Sequence, residues 1–416
     1  MPGTAPPSAS RFQGIFWLVV FQGYAFGINA AGAAFYAEEF GLDDARLARL
    51  FGWIALGSVG ALLLSRAMDR VGRRRMTLIG AGGLVVSSLA VAAAPNLLLF
   101  GGAQVVAAAF AGLLLACAIV VVSEELPSEA RAAGQGRSGL LSQIGVGLSM
   151  IAIALLAEVG ISWRWAWGAG AVLGSVCLWR ARDLPETGLF QDAAGRPRSE
   201  RGDLQALFSA GLRSRTIAIV LTSLLMNVSS LATSTWFLYH PETALGLSAS
   251  VATALVIGSG LIGLVGFPLG GRAANRFGRK PTILVAGAAF SLAYVAYFWV
   301  PATLTPSPAV GLAPVLAIGL ALYGIYIVSV RTLVTELFPT ELRGTIQGII
   351  AAAAALGALF AQFGAGLLAT ALGGLVSAVS ILGFVGVPAL VYLAAVVPET
   401  AGTRLDEPGR WDVEPF

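Results

Sequence analysis

The sequence predicts an all-α membrane protein of twelve transmembrane helices, built as two six-helix bundles of the same orientation. Three observations carry this. The chain is 57% hydrophobic and only 12% charged, with mean hydropathy +0.81, whereas a soluble domain carries roughly 25% charged residues. It contains twelve apolar runs of spanning length. Three motifs occur once in each half, in the same order.

A spanning helix needs about 20 mainly apolar residues. Such runs lie at 14–37, 48–67, 76–94, 97–123, 138–160 and 164–181, and again at 216–238, 249–271, 281–300, 309–334, 345–371 and 375–397. The expected organisation is an N-terminal bundle over 1–181, a cytoplasmic linker over 182–215, a C-terminal bundle over 216–397 and a tail over 398–416. Within the linker, Leu204, Leu207, Phe208 and Leu212 fall near one helical face. That spacing suits either a short helix on the membrane surface or a plain loop. The abundant glycines read as contact points, because small residues let helices approach closely in lipid.

Arginine placement orients the chain, since cytoplasmic loops retain Lys and Arg. With the N-terminus inside, the outer loops hold only Arg46, Arg49 and Arg164. The inner loops and helix ends hold Arg70, Arg73, Arg74, Arg75, Arg131, Arg137, Arg276, Arg279, Lys280 and Arg343. Both termini are therefore expected in the cytoplasm, in a multi-pass protein of the cell (inner) membrane. The start of the chain, with Pro2, Pro6 and Pro7 ahead of Arg11, lacks a short apolar core with a cleavage site, so no removable signal peptide is expected.

The same residues exclude function classes. Net charge is +4 and the arginines sit in short clusters between apolar runs, so a nucleic-acid partner has no support. Cys117 and Cys177 lie singly inside apolar runs, without metal-ligand spacing, and no metal or other cofactor is expected. No phosphate-binding loop of the P-loop pattern is present and His240 is the sole histidine, which argues against an ATP-driven pump and an enzyme.

The repeat is specific. Asp69-Arg70-Val71-Gly72-Arg73-Arg74 returns as Asn275-Arg276-Phe277-Gly278-Arg279-Lys280, 206 positions on. Ser123-Glu124-Glu125-Leu126-Pro127-Ser128-Glu129-Ala130-Arg131 returns as Thr335-Glu336-Leu337-Phe338-Pro339-Thr340-Glu341-Leu342-Arg343, 212 positions on, with Gln135-Gly136 matching Gln347-Gly348. Pro185-Glu186-Thr187 returns as Pro398-Glu399-Thr400. Paired bundles of this kind place a solute site near the bilayer midplane and expose it alternately to the two sides.

These motifs resemble the major facilitator superfamily, whose hallmark loop between helices 2 and 3 recurs between helices 8 and 9. Trp163-Arg164-Trp165, the two Pro-Glu-Thr motifs and the stretch from Thr335 to Gly348 resemble its sugar-porter, organic-ion and metabolite-symporter branch. Two departures stand out: Ser65 replaces the first glycine of the loop motif, and Asn275 replaces the second-half aspartate. The resemblance implies that Asp69 and Arg73 join Glu124, Arg131 and the start of helix 11 in a network that latches the inner side. Arg70, Gly72, Arg276, Gly278, Arg279, Glu336 and Arg343 complete the expected gating set. The alternative is that these charges only fix topology.

At 1.5 Å per residue, Gln22 lies about 14 Å into helix 1 and Asn227 about 17 Å into helix 7, while Tyr323 and Tyr326 lie about 20–24 Å into helix 10. Ser223, Asn227, Ser230 and Ser234 share a helical stripe, as do Gln22 and Asn29. Amides unsatisfied in hydrocarbon are expensive, so the Asn and Gln residues are expected to line a cavity, whereas a lone Ser more readily bonds its own helix. The expected solute-binding set is Gln22, Asn29, Gln104, Gln143, Asn227, Ser230, Tyr323 and Tyr326. Trp236 is either a ring-packing partner for solute or an anchor at the lipid interface.

Sugar-porter-like relatives often carry a helix-1 aspartate after Gly-Tyr and a helix-4 arginine that couple transport to protons. Here Ala25 follows Gly23-Tyr24 and Gln104 is the helix-4 counterpart, so weak or absent proton dependence is expected. Glu38, Glu158, His240 and Glu242 form either a titrating outer gate or, the expected reading, solvated helix-end charges. The expected function is secondary or facilitated transport of a small neutral, zwitterionic or amphipathic solute by a monomer. Proton coupling stays open, as does a carboxylate bound through Arg331. The alternatives are a multidrug exporter and a non-transporting receptor on the same fold.

Overall fold

The computed structural model describes residues 12–65, 67–125, 128–188, 207–209, 211–338 and 343–400. Most of the linker, including Leu204, lies outside them; Leu207 is buried and Phe208 exposed in a short turn ahead of the second half. The described residues are helical without strands.

The first half contains α1 Gln13–Ala31, α2 Ala33–Phe40, α3 Asp44–Ser65, α4 Met68–Val71, α5 Arg73–Ala93, α6 Leu97–Glu125, α7 Ser128–Glu158 and α8 Arg164–Ala181. The second contains α9 Arg213–Ser234, α10 Tyr239–Thr243, α11 Ala249–Gly263, α12 Gly266–Phe277, α13 Arg279–Tyr297, α14 Pro308–Leu337, α15 Arg343–Leu372, α16 Leu375–Leu382 and α17 Val387–Val396. Ten helical stretches among the described residues are long and apolar enough to cross a membrane. The predicted runs at 48–67 and 164–181 are helical too, as α3 and α8, but are not among those ten.

The chain divides into two compact units: Met1–Leu42 with Trp53–Pro197, and Asp43–Gly52 with Arg198–Phe416. Asp43 and the first nine residues of α3 thus group with the second unit. In the first unit α1 packs on α6, α7 and α8, and α5 packs on α6 and α8. In the second unit the counterparts of four of these five pairs form: α9 on α15 and α17, and α13 on α14 and α17. The repeat seen in the motifs therefore extends to helix packing within each unit.

Glycine makes the tightest of these contacts. A Cβ on Gly145 of α7 would lie 2.0 Å from the Val20 carbonyl oxygen of α1, and one on Gly23 2.0 Å from that of Ser142. Gly357, 212 positions after Gly145, meets the Leu224 carbonyl oxygen of α9 at 2.6 Å in the same sense. Backbone-to-backbone packing of this kind is how helices associate where lipid supplies no hydrophobic drive.

Some runs that read as continuous are broken. The last apolar run splits into α16 and α17 around Gly383–Gly386, and the Gly386 N–H is rescued by the Ser229 hydroxyl of α9, which accepts at 2.8 Å. Irregular backbone at membrane depth is tolerated where neighbouring side chains replace the lost helical bonds.

Candidate solute site and gating loops

The loop ahead of α5 is built around Gly72 (φ 104°, ψ 153°), and the one ahead of α13 around Gly278 (φ 94°, ψ 158°). That region of backbone space is essentially glycine's own. It turns the first N–H groups of each following helix toward a carboxylate. Glu186 accepts from the Arg73 and Arg74 N–H groups at 2.8 and 3.2 Å, and Glu399 from those of Arg279 and Lys280 at 2.8 and 3.0 Å. Each carboxylate sits where the helix dipole favours negative charge.

The arginine after each glycine then closes the loop. Arg73 pairs with Glu124 at 3.0 Å and donates to the Met68 carbonyl at 3.2 Å. Arg279 pairs with Glu336 at 3.0 Å and donates to the Ala274 carbonyl at 2.8 Å. The Thr187 and Thr400 hydroxyls complete Glu124 and Glu336 at 2.5 Å each. Both ion pairs are largely shielded, with side chains 14% and 15% exposed in one and 10% and 15% in the other. Shielded charges need such full hydrogen-bonding to be tolerated.

Of the expected gating set, Gly72, Arg73, Glu124, Gly278, Arg279 and Glu336 meet in these two loops. Arg276 is exposed and lies over the Phe277 ring at 5.3 Å. The side chains of Asp69, Arg70, Arg131 and Arg343 lie outside the described residues. Asn275 donates nothing to Glu336; its amide oxygen accepts from Arg279 at 2.8 Å, a role any short oxygen-bearing side chain fills. Sequence reasoning overlooked Glu186, Thr187, Glu399 and Thr400 as partners, although the repeated Pro-Glu-Thr motif was the signal for them.

In the first unit Gln22 is buried and accepts from the Ser142 hydroxyl at 3.1 Å, a pairing that the Gly23 and Gly145 contacts make possible. Asn29 Oδ1 and both amide atoms of Gln104 are buried without a hydrogen-bond partner. Gln143 is exposed beside Ile144, not drawn in with Ser142. In the second unit Asn227 Oδ1 is likewise buried and unpartnered. One turn and more above, Gln362 of α15 donates to Thr235 Oγ1 at 2.7 Å while its own Oε1 has no partner. Gln362 and Thr235 were missed because Gln362 stands alone in an Ala- and Gly-rich run. Ser223 donates back to the Ile219 carbonyl at 2.7 Å, the helix-internal bond expected of a lone serine. Ser230 is half-buried.

Tyr323 and Tyr326 join Phe290 and Tyr294 in an aromatic wall, with ring centroids 5.2–5.4 Å from Phe290. Arg331 is exposed. Trp236 is fully buried against Phe51 and Tyr239 at 5.6 and 5.5 Å, so it is an interior ring and not an interface anchor. Glu38 and Glu158 are exposed, as solvated helix-end charges should be. His240 departs from that reading: it is buried against Tyr297 and Phe298, because α10 turns back onto the end of α13.

The family model for the Major Facilitator Superfamily matches residues 15–362. YwtG of Bacillus subtilis (strain 168), described as a metabolite transport protein, is 24% identical over 95% of this chain and 94% of its own. A protein of Cupriavidus pinatubonensis (strain JMP 134 / LMG 1197), described as a 4-methylmuconolactone transporter, is 25% identical over 61% of this chain and 57% of its own. Among solved structures, a D-xylose-proton symporter superposes with TM-score 0.72 at 20% identity, over 94% of this chain and 99% of that one. The inward-open xylose transporter XylE of E. coli superposes with TM-score 0.70 at 19% identity, over 95% and 98%. With its paired glycine loops, its all-helical fold and a family match over most of its length, the chain belongs to the Major Facilitator Superfamily and is a secondary transporter of small organic solutes.

Proposed function

We propose that the solute is a neutral or zwitterionic metabolite of modest size, recognised by amides and tyrosines and moved without obligatory proton coupling. The observation that carries this is that each unit buries amide atoms without partners in its spanning helices, Asn29 and Gln104 in the first and Asn227 and Gln362 in the second. An amide left unsatisfied costs about 1–3 kcal/mol, and a polar solute or the water that precedes it satisfies such groups as the protein changes state. Within the second unit, the aromatic wall of Phe290, Tyr294, Tyr323 and Tyr326 offers apolar contact to a solute. Charges in the ten candidate spans stand in their first or last two turns, which leaves a formally uncharged middle. The xylose symporter and the metabolite transporter named above are in keeping with an uncharged or polar organic solute.

The two glycine loops are proposed to act as latches on the cytoplasmic side, with both termini cytoplasmic. Support comes from the hydrogen bonds that the two loops share and from the arginine excess on that side. Uptake into proteoliposomes, screened over a panel of sugars, polyols and zwitterions, tests the reading. For a transported solute, Asn227→Ala and Gln362→Ala are expected to raise KM at least tenfold with little change in maximal rate. Unchanged KM in both variants would remove the amides from the path.

A further inference from the structure

Four arginines gather where the start of α5 meets the end of α8, two helices of the first unit that pack on each other. Arg74 and Arg75 stand in the first turn of α5, Arg180 lies in the last turn of α8 and Arg182 is its C-cap. All four are exposed. Arg74 Nη2 donates to the Arg182 carbonyl at 3.2 Å, which joins the two helix ends.

The second half shows that the shared glycine loop does not need this cluster. Pro185-Glu186-Thr187 recurs 213 positions on, and at that offset Arg180 and Arg182 become Leu393 and Ala395. Arg75 becomes Pro281 at the 206-position offset of the loop. The loop ahead of α13 nonetheless keeps its ion pair and its capping carboxylate. The extra arginines are a property of the first unit, not of the loop.

Negative charge is scarce around them. Glu186 is taken up by the Arg73 and Arg74 N–H groups at 2.8 and 3.2 Å. Asp183 pairs with Arg182 at 3.4 Å, but both side chains stand open to solvent, and an open pair is worth little. Among the described residues, Arg75 and Arg180 have no ion-pair partner. Arg74 and Arg75 also occupy a helix start, where the dipole disfavours cations. The cluster therefore calls for an anion from outside the chain.

The neighbouring surface selects the kind of anion. The Arg180 and Arg182 guanidinium carbons lie over the Trp179 ring, 5.6 and 5.0 Å from its centroid, and Trp179 is 56% exposed. An exposed tryptophan at the end of a spanning helix sits at headgroup level. Val176 and Val172 continue an exposed apolar stripe along α8, and Ile79 and Val86 form another along α5. A soluble anion would use the charge alone, whereas a lipid would use the charge and the stripes.

We infer that this corner of the first unit binds an anionic phospholipid, its phosphate on the four arginines and its acyl chains along the α5 and α8 stripes. Basic residues beside a spanning helix attract anionic lipid, and the Trp179 ring holds two of the guanidinium groups in place for one headgroup. The site lies apart from the solute path and does not depend on the solute assigned to it.

The test titrates the full chain in detergent with palmitoyl-oleoyl phosphatidylglycerol or the matching phosphatidylcholine, read by native mass spectrometry. Phosphatidylglycerol is expected to bind saturably and about tenfold more tightly than phosphatidylcholine. The double variant Arg180→Gln, Arg182→Gln should remove that preference and leave the unfolding midpoint of the lipid-free protein unchanged. The double variant Arg213→Gln, Arg272→Gln removes the same charge from exposed positions of the second unit and should keep the preference. Inorganic phosphate and glycerophosphate, at the lipid concentration, should not displace the lipid. The site would be overturned by equal binding of the two lipids, by a preference that survives the first double variant, or by a fall in that variant's midpoint. Equal loss in the second double variant would also overturn it, by reducing the effect to net charge, as would displacement by either soluble phosphate.

Discussion

Glu186 and Glu399 are the residues on which both loops converge, because each carboxylate caps a helix start that glycine has turned toward it. Removing one leaves two N–H groups of a helix start without their carboxylate, one of each pair half-buried and the other open to water. Glu399→Ala is therefore expected to destabilise the folded protein by about 0.5–2 kcal/mol, as for the loss of a helix cap, and Glu186→Ala by a similar amount, measured as a lowered unfolding midpoint in detergent. Glutamine in either place keeps one acceptor oxygen and should recover part of the loss. Gly278 adds a second constraint: its φ is 94°, and a Cβ would come 2.8 Å from Glu399 Oε2. Gly278→Ala should cost about 1–3 kcal/mol through backbone strain and displace the carboxylate as well. An unchanged midpoint in Gly278→Ala would contradict the loop geometry.

At the scale of elements, the equivalent helix pairs α1 with α7 and α9 with α15 are held by backbone contact at glycine. Gly145→Val and Gly357→Val should each disrupt their pair by at least the roughly 1–3 kcal/mol typical of overpacking. Gly147→Val is the control, since nothing lies within 4 Å of a Cβ there; equal losses at Gly145 and Gly147 would show that helix propensity, not packing, decides. The broken run between α16 and α17 depends on a different device. Ser229→Ala removes the acceptor for the Gly386 N–H and is expected to destabilise the protein by about 1–3 kcal/mol, seen as a lower unfolding midpoint with the α9–α15 pair intact. Of these element-level features, the glycines were legible as contacts but not which ones, because composition does not say which face of a helix meets its neighbour.

For the whole molecule, the uncharged middle of the spans predicts uptake that runs to equilibrium and is insensitive to an imposed pH gradient. Clear pH-driven accumulation in proteoliposomes would mean that a titrating group outside the described middle couples to transport. The paired loops predict a conformational effect: Arg73→Ala and Arg279→Ala each remove the cation of a shielded pair and should shift the population of inward-facing and outward-facing states. Double electron-electron resonance on spin labels in the two halves reads that shift; an unchanged distribution in both variants would reduce the loops to structural ties.

Hydropathy, arginine placement and three repeated motifs were sufficient for the fold class, because a bilayer demands long apolar helices and a duplicated sequence repeats its contacts. The family resemblance brought Arg73 and Glu124 into one network, while the pairing of Arg279 with Glu336 came from the structure. Tertiary structure alone decided which polar side chains are buried without partners, that Gln143 is exposed while Ser142 meets Gln22, and that Trp236 and His240 are interior. Those outcomes depend on the rotation of each helix and on where a helix breaks, and a helical stripe in an Ala- and Gly-rich run leaves both unspecified until neighbouring helices pack against it.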